Sequence, residues 1–251
     1  IIMSAVLVIV VIVAVSTIFG ALNSTTIGGK KIDKNDTSVH LYDVTVTADD
    51  MKSIISMGKL EKLSINNCVI DNSIIKYLSD ISAPLTGLYI HECTGFDDYS
   101  SISDLKYLQY LSITGCNLTN EQLKGINFKN KEYLHEIDFS ENAELSDISP
   151  LGTLKTLNNL TVDKTAVRDF SVLKDCEILS VVSAQSCGIT DISTLTNKAI
   201  SHLYLNSNEI SDISSFVNFE ALRTLEISNN KITDISALAD HKILSTLHLD
   251  A

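Results

Sequence analysis

Tryptophan is absent from this chain, proline occurs only as Pro84 and Pro150, and aromatic residues make up 6% of its 251 positions. A β-sandwich or lectin-like domain leans on buried aromatics and turn prolines, so that architecture is disfavoured. Cations are also scarce: 19 Lys and Arg stand against 31 Asp and Glu, for a formal net charge of -12. Such a chain has no basic surplus with which to neutralise phosphates, which argues against nucleic acid as a partner. The acidic balance slightly favours basic protein partners, through steering more than affinity. No G-x-S-x-G, P-loop or H-E-x-x-H pattern occurs, so the chain is read as non-enzymatic, with no cofactor.

Charge is missing from the start of the chain, where Lys30 is the first ionised side chain. From Ile1 to Leu22 only Ser4, Ser16, Thr17 and Gly20 interrupt an apolar run. About 20 such residues suffice to cross a hydrocarbon core of about 30 Å as a helix. A soluble amphipathic helix would need one polar face, which this run lacks. Two readings stand: an uncleaved single-pass anchor, or a signal segment with small residues at Ala14 and Ser16. Residues 23–38, rich in Ser, Thr, Asn and Gly, read as a polar linker with little to bury.

What is present is a repeat. Leu222-Arg-Thr-Leu225-Glu-Ile227-Ser-Asn-Asn230-Lys-Ile232 matches Ile200-Ser-His-Leu203-Tyr-Leu205-Asn-Ser-Asn208-Glu-Ile210 position by position. Further copies of L-x-x-L-x-L-x-x-N/C-x-I/L begin at Leu60, Leu85, Leu108, Leu134, Leu157 and Leu179, and a ninth, cut off at Ala251, begins at Leu244. The starts are separated by 25, 23, 26, 23, 22, 21, 22 and 22 residues, so the later copies are nearly uniform. A second element keeps step with the first. Asp147-Ile-Ser-Pro-Leu151 recurs as Asp169-Phe-Ser-Val-Leu173, Asp191-Ile-Ser-Thr-Leu195, Asp212-Ile-Ser-Ser-Phe216 and Asp234-Ile-Ser-Ala-Leu238.

On these motifs, residues 60–251 resemble the leucine-rich repeat family, specifically its 22-residue bacterial class typified by internalins. The resemblance implies an α/β fold: a right-handed leucine-rich repeat solenoid with a parallel concave β-sheet and short α or 3-10 segments on the convex side. The residues agree. Leu225 and Ile227 alternate with Thr224, Glu226 and Ser228, as a strand with one buried face requires. The Asp of D-I-S is placed to cap a short helical turn. A lone repeat buries too little to fold, so stability must come from stacking. Apolar residues at helical spacing after Asp71 and after Thr119 predict α-turns there. Residues 39–59 are expected to form an N-terminal cap, with a strand over Leu41–Val46 and a helix from near Asp49. The solenoid is expected to continue past Ala251.

Cys68, Cys93, Cys116 and Cys187 all fall in the ninth repeat position, where Asn142, Asn208, Asn230 and Thr165 stand in other copies. That slot points inward, so each Cys is read as a small buried group with a weak donor; Cys176, in a return segment, is read as buried too. Neighbouring slots would lie about 5 Å apart, inside the disulfide range, but parallel inward side chains disfavour bridging. Spacings of 23 to 25 residues match no zinc pattern. The repeated Asp has its capping duty and no calcium-loop company, so no metal is assigned.

The function implied is protein recognition or adhesion on a bacterial cell surface, by a monomer whose membrane contact is residues 1–22. The alternative is a sensor within a larger receptor or enzyme whose catalytic domain lies outside this segment. The expected contact residues point outward from the strands of the concave face: Tyr89, His91, Tyr110, Glu136, Asp138, Asp163, His202, Tyr204, Glu226 and His248. Tyr204 with His202, Glu226 and His248 forms the preferred patch, because Tyr is enriched among interface hot spots. The plainer reading is that tyrosines on an exposed strand merely cover their neighbours.

Overall fold

A computed structural model describes residues 23–70, 76–95 and 98–250. The apolar run 1–22, expected to be an anchor or signal, lies outside them. Among the described residues, no helix is long and apolar enough to cross a membrane.

The segment expected to be a linker is an antiparallel hairpin, β1 (Ser24–Ile27) and β2 (Lys30–Asp33), in which Ile27 pairs with Lys30 across Gly28-Gly29. Both glycines have left-handed backbone, φ 56° and 76°, which permits so tight a turn. The hairpin is anchored. Ile27 is fully buried, and the Gly28 N–H donates to Asp50 Oδ1 at 2.7 Å. Asp50 belongs to helix α1 (Ala48–Ile55), which begins at a capping box: Thr47 Oγ1 accepts from the Asp50 N–H, and Asp50 Oδ2 accepts from the Thr47 N–H. Hydrogen bonds from Thr47 and Gly28 hold the Asp50 carboxyl below its ordinary range although burial opposes them.

Between hairpin and helix lies β3 (Ser38–Tyr42), followed by β4 (Thr45–Val46). The expected strand began at Leu41; the observed one begins at Ser38 and is in full parallel register with β5 (Lys62–Asn66). Residues 38–60 therefore form a repeat in all but sequence. The chain continues through β6 (Val69–Ile70), β7 (Gly87–His91), β8 (Tyr110–Thr114), helix α2 (Asn120–Gly125), β9 (Glu136–Asp138) and β10 (Asn159–Thr161). It ends with β11 (Val181–Ser183), β12 (His202–Tyr204), β13 (Thr224–Glu226) and β14 (Thr246–His248). One parallel sheet of ten strands results, in the order β14-β13-β12-β11-β10-β9-β8-β7-β5-β3, one strand more than the nine repeat motifs predict.

Each strand but the last sends its two inner apolar residues into a continuous core, as with Leu203 and Leu205, or Leu225 and Ile227, whereas Leu247 of β14 is 38% exposed. Burying such a side chain contributes about 2 kcal/mol. The convex side is mostly 3-10 turns, Ser149–Thr153 and Ser171–Asp175 among them. Each D-I-S Asp accepts the N–H of the serine two residues on, at 2.9 Å for Asp147 and Asp169 and 2.7 Å for Asp212. The turn expected after Thr119 is α2, closed by a capping box between Thr119 and Gln122. Of the turn expected after Asp71, residues 71–75 lie outside the described set, and Lys76–Asp80 is a 3-10 segment.

In each repeat the chain leaves its strand through a residue of left-handed backbone, such as Asn67, Glu92, Glu141, Lys164, Ser186, Ser207 and Asn229. The next side chain then turns inward and fastens the turn. Asn142 Nδ2 donates to the carbonyls of Ile113 and Phe139 at 2.7 and 2.8 Å, while its Oδ1 accepts from the N–H groups of Cys116 and Leu118 at 3.1 and 2.7 Å. Cys116 occupies the same slot one repeat earlier: its Sγ lies 3.2 Å from the Thr114 carbonyl and accepts the Cys93 N–H at 3.3 Å. All five cysteines are free and buried. Burial pushes Cys176 up to about 11 and raises Cys187 as well.

One buried cation escapes the repeat pattern. Lys131, only 2% exposed, donates from Nζ to the carbonyls of Ile102, Ser103 and Leu105 at 2.6, 2.9 and 2.8 Å. All three ammonium protons are thereby used on the end of the neighbouring 3-10 turn. Burial pushes its amine down to about 8 against the opposing charge of Asp104.

Candidate functional site: the concave sheet

The strand register aligns outward residues in three columns. The first runs Lys62, Gly87, Tyr110, Glu136, Asn159, Val181, His202, Thr224 and Thr246. Beside it runs the second, with Ser64, Tyr89, Ser112, Asp138, Thr161, Ser183, Tyr204, Glu226 and His248. His91 and Thr114 belong to the third, and Asp163 and Gln185 extend it at the strand ends. All ten sequence-derived candidates therefore lie on one face. At about 4.8 Å per strand, ten strands make that face about 43 Å long.

The structure brings Tyr204, Glu226 and His248 together as consecutive members of the second column. Glu226 Oε1 is 3.7 Å from His248 Nδ1, and its Oε2 accepts from Asn206 Nδ2 at 3.0 Å. Asn206 also donates to Gln185 Oε1 at 3.0 Å, and Gln185 Nε2 donates to Asp163 Oδ2 at 3.1 Å. A chain of side-chain hydrogen bonds thus crosses from the end of β10 to β13. His202 stands one column away, beside Thr224, with its Nδ1 2.8 Å from Ser201 Oγ. At the other end, His91 Nδ1 is 2.6 Å from Thr114 Oγ1, and Asp138 Oδ1 accepts from the Ser140 N–H at 2.9 Å and hydroxyl at 2.6 Å.

Sequence reasoning missed Gln185 and Asn206, although the slot that revealed Asp163 would have found them: it follows the second inward apolar residue. It also missed His40 and Tyr42, whose rings stack at 6.4 Å on β3, because that strand lacks the leucine signature. Among the described residues, no group of three or more His, Cys, Asp or Glu is arranged to hold a metal ion. The chemistry of the face is that of contact: hydroxyls, amides, carboxylates and a few aromatic rings on a stiff backbone.

Comparison with known proteins agrees with this geometry. The family profile described as Leucine Rich repeats (2 copies) matches residues 198–240. An internalin (inlF) of Listeria monocytogenes superposes with a TM-score of 0.64 at 25% identity, over 88% of this chain and 70% of that one. A second Listeria monocytogenes internalin gives a TM-score of 0.61 at 18% identity, over 87% and 85% of the two chains. A leucine-rich repeat protein of Leptospira interrogans gives 0.63 at 19% identity, over 86% and 61%. No curated protein sequence matches. The molecule is a leucine-rich repeat solenoid, an architecture whose extended concave surface is suited to binding proteins. Its fold is similar to that of the two internalins.

Proposed function

We propose that this chain is a recognition module displayed at a bacterial cell surface, tethered or exported through its apolar run 1–22, and that the concave sheet is its contact face. The observation that carries the reading is the three-column register, which presents outward side chains of ten strands in parallel to one extended partner. The patch around Tyr204, Glu226 and His248 is its centre: an amphipathic ring beside a carboxylate already oriented by Asn206. The test uses the full chain to capture a surface partner, followed by titration of that partner. Tyr204→Ala combined with Glu226→Lys should weaken binding by about tenfold or more. Lys174→Glu, on the convex turn Ser171–Asp175, should leave it unchanged. The reverse pattern moves the site off the concave face.

A further inference from the structure

Half of the eight tyrosines of this chain gather where β7, β8 and β9 begin. Tyr110 meets the His135 ring edge-on at 4.8 Å, and just upstream Tyr107 and Tyr133 approach to 6.2 Å. The latter two are 53% and 52% exposed. Tyr89 lies over Gly87, where an added Cβ would come within 2.8 Å of its ring. Glycine at this strand position therefore lets the Tyr89 ring lean toward Tyr110.

Glu136 completes the corner. It is registered directly beside Tyr110, is exposed, and its carboxylate makes no hydrogen bond or ion pair among the described residues. The other carboxylates along this stretch are held: Asp138 by Ser140, Asp163 by Ser183 and Gln185, Glu226 by Asn206. Its charge reaches the Tyr89 hydroxyl, which burial first and Glu136 second make harder to ionise. Along the outward columns, Glu136, Asp138, Asp163 and Glu226 face a single strand cation, Lys62. An unpaired carboxylate beside aromatic rings, on an acidic surface, is the chemistry that recognises a planar cation.

We infer that this corner receives an arginine side chain from an extended segment of a protein partner, its guanidinium against Tyr89 and Tyr110 and its N–H groups on Glu136. The inference rests on the concave-face reading and adds the charge of the partner and a second anchor, three to five strands from Tyr204. Arginine is favoured over lysine because its flat guanidinium stacks on a ring and can bridge a carboxylate with two donors at once.

The test titrates the full chain, in non-ionic detergent, with a fluorescent Ac-(Arg-Gly)4-amide peptide and with its uncharged citrulline counterpart. Saturable binding is expected for the arginine peptide, at least about fivefold tighter than for the citrulline peptide and weakening as salt rises. Glu136→Gln and Tyr110→Leu should each weaken it by about fivefold or more, while convex Lys174→Glu should not. Glu136→Gln removes only an exposed charge, so its result does not depend on the fold surviving a lost ring. Sensitivity to the Tyr204 and Glu226 changes alone would overturn this corner but leave the concave face standing. Sensitivity to convex Lys174→Glu alone would overturn both. Absence of saturable binding, equal binding of the citrulline peptide, or preference for an oligosaccharide such as cellotetraose would each overturn the arginine assignment.

Discussion

Asn208 fastens Cys187 from one repeat away: its Oδ1 accepts the Cys187 backbone N–H at 3.0 Å while its Nδ2 donates to the Leu205 carbonyl of its own repeat at 2.9 Å. The same amide also holds the Ile189 N–H and the Ala184 carbonyl. Removing it strands buried backbone groups that no water can reach. Asn208→Ala should cost about 1–3 kcal/mol. Asn208→Cys should cost less, because Cys116 in the equivalent slot still contacts carbonyls and accepts an N–H. Urea unfolding of the two variants decides the matter: equal losses would mean that the thiol does no share of the fastening.

Lys131 makes stability depend on alkaline pH. Its amine titrates near 10.5 when unfolded and is pushed down to about 8 by burial. Between those values the unfolded chain binds the extra proton, so stability rises with pH across the window and the gain is absent below about 8. Lys131→Met keeps the apolar stem, abolishes this rise and leaves three carbonyls unpaired. The check is the difference in urea midpoint between parent and variant from about pH 7.5 to about pH 10.5. A difference that stays constant would show that the three carbonyls keep the amine charged throughout.

The convex carboxylates set the acid limb. Asp147, Asp169, Asp191 and Asp234 are all held below 3.8, mainly by the backbone N–H of the following serine in the last three and by its hydroxyl in Asp147. For a lowered carboxyl, the stabilisation is present above the unfolded value and is lost as pH falls through the folded one. Replacing all four by Asn keeps the turn, since Asn forms the same local hydrogen bond, but removes the titration. Melting curves should then coincide with the parent near neutrality and show a flatter decline below about pH 4. An unchanged acid decline would assign it to other carboxyls.

The N-terminal hairpin is structural cover, so where the chain is cut matters. A chain starting at Asn23 keeps Ile27 in the core and the Gly28 bond to Asp50. One starting at Val39 gives up both. Loss of the Ile27 burial alone amounts to about 2 kcal/mol. The shorter chain should melt lower and self-associate through the uncovered helix face, visible in light scattering. Equal melting points would mean that the hairpin is ornamental.

The sheet was legible in the sequence because a two-residue alternation repeated at a fixed interval admits one stacking. The ladder was legible for the same reason, since Asn and Cys recur in one slot. Val44 stands in that slot after β3, with nothing polar to mark it, so residues 39–59 read as a strand and helix outside the repeat count, and only the structure shows that strand in register with β5. The hairpin was illegible because a single apolar residue, Ile27, anchors it among polar neighbours. Lys131 hid in a place where other repeats carry Leu105, Leu154 or Phe219, and a lysine in a polar loop reads as solvated. The outward columns followed from the register alone. The aromatic corner did not, because Tyr107, Tyr133 and His135 precede their strands and only the folded turn brings them to the edge.

The buried thiols also make the molecule its own stopwatch. Cys68, Cys93 and Cys116 sit in the early repeats, Cys176 and Cys187 in the middle, and the last three strands carry none. An alkylating reagent reaches each sulfur only when the repeat around it opens, so the order in which the five react records the sequence in which the coil comes undone. No label has to be introduced to read it, and the silence of the final strands marks where the clock stops.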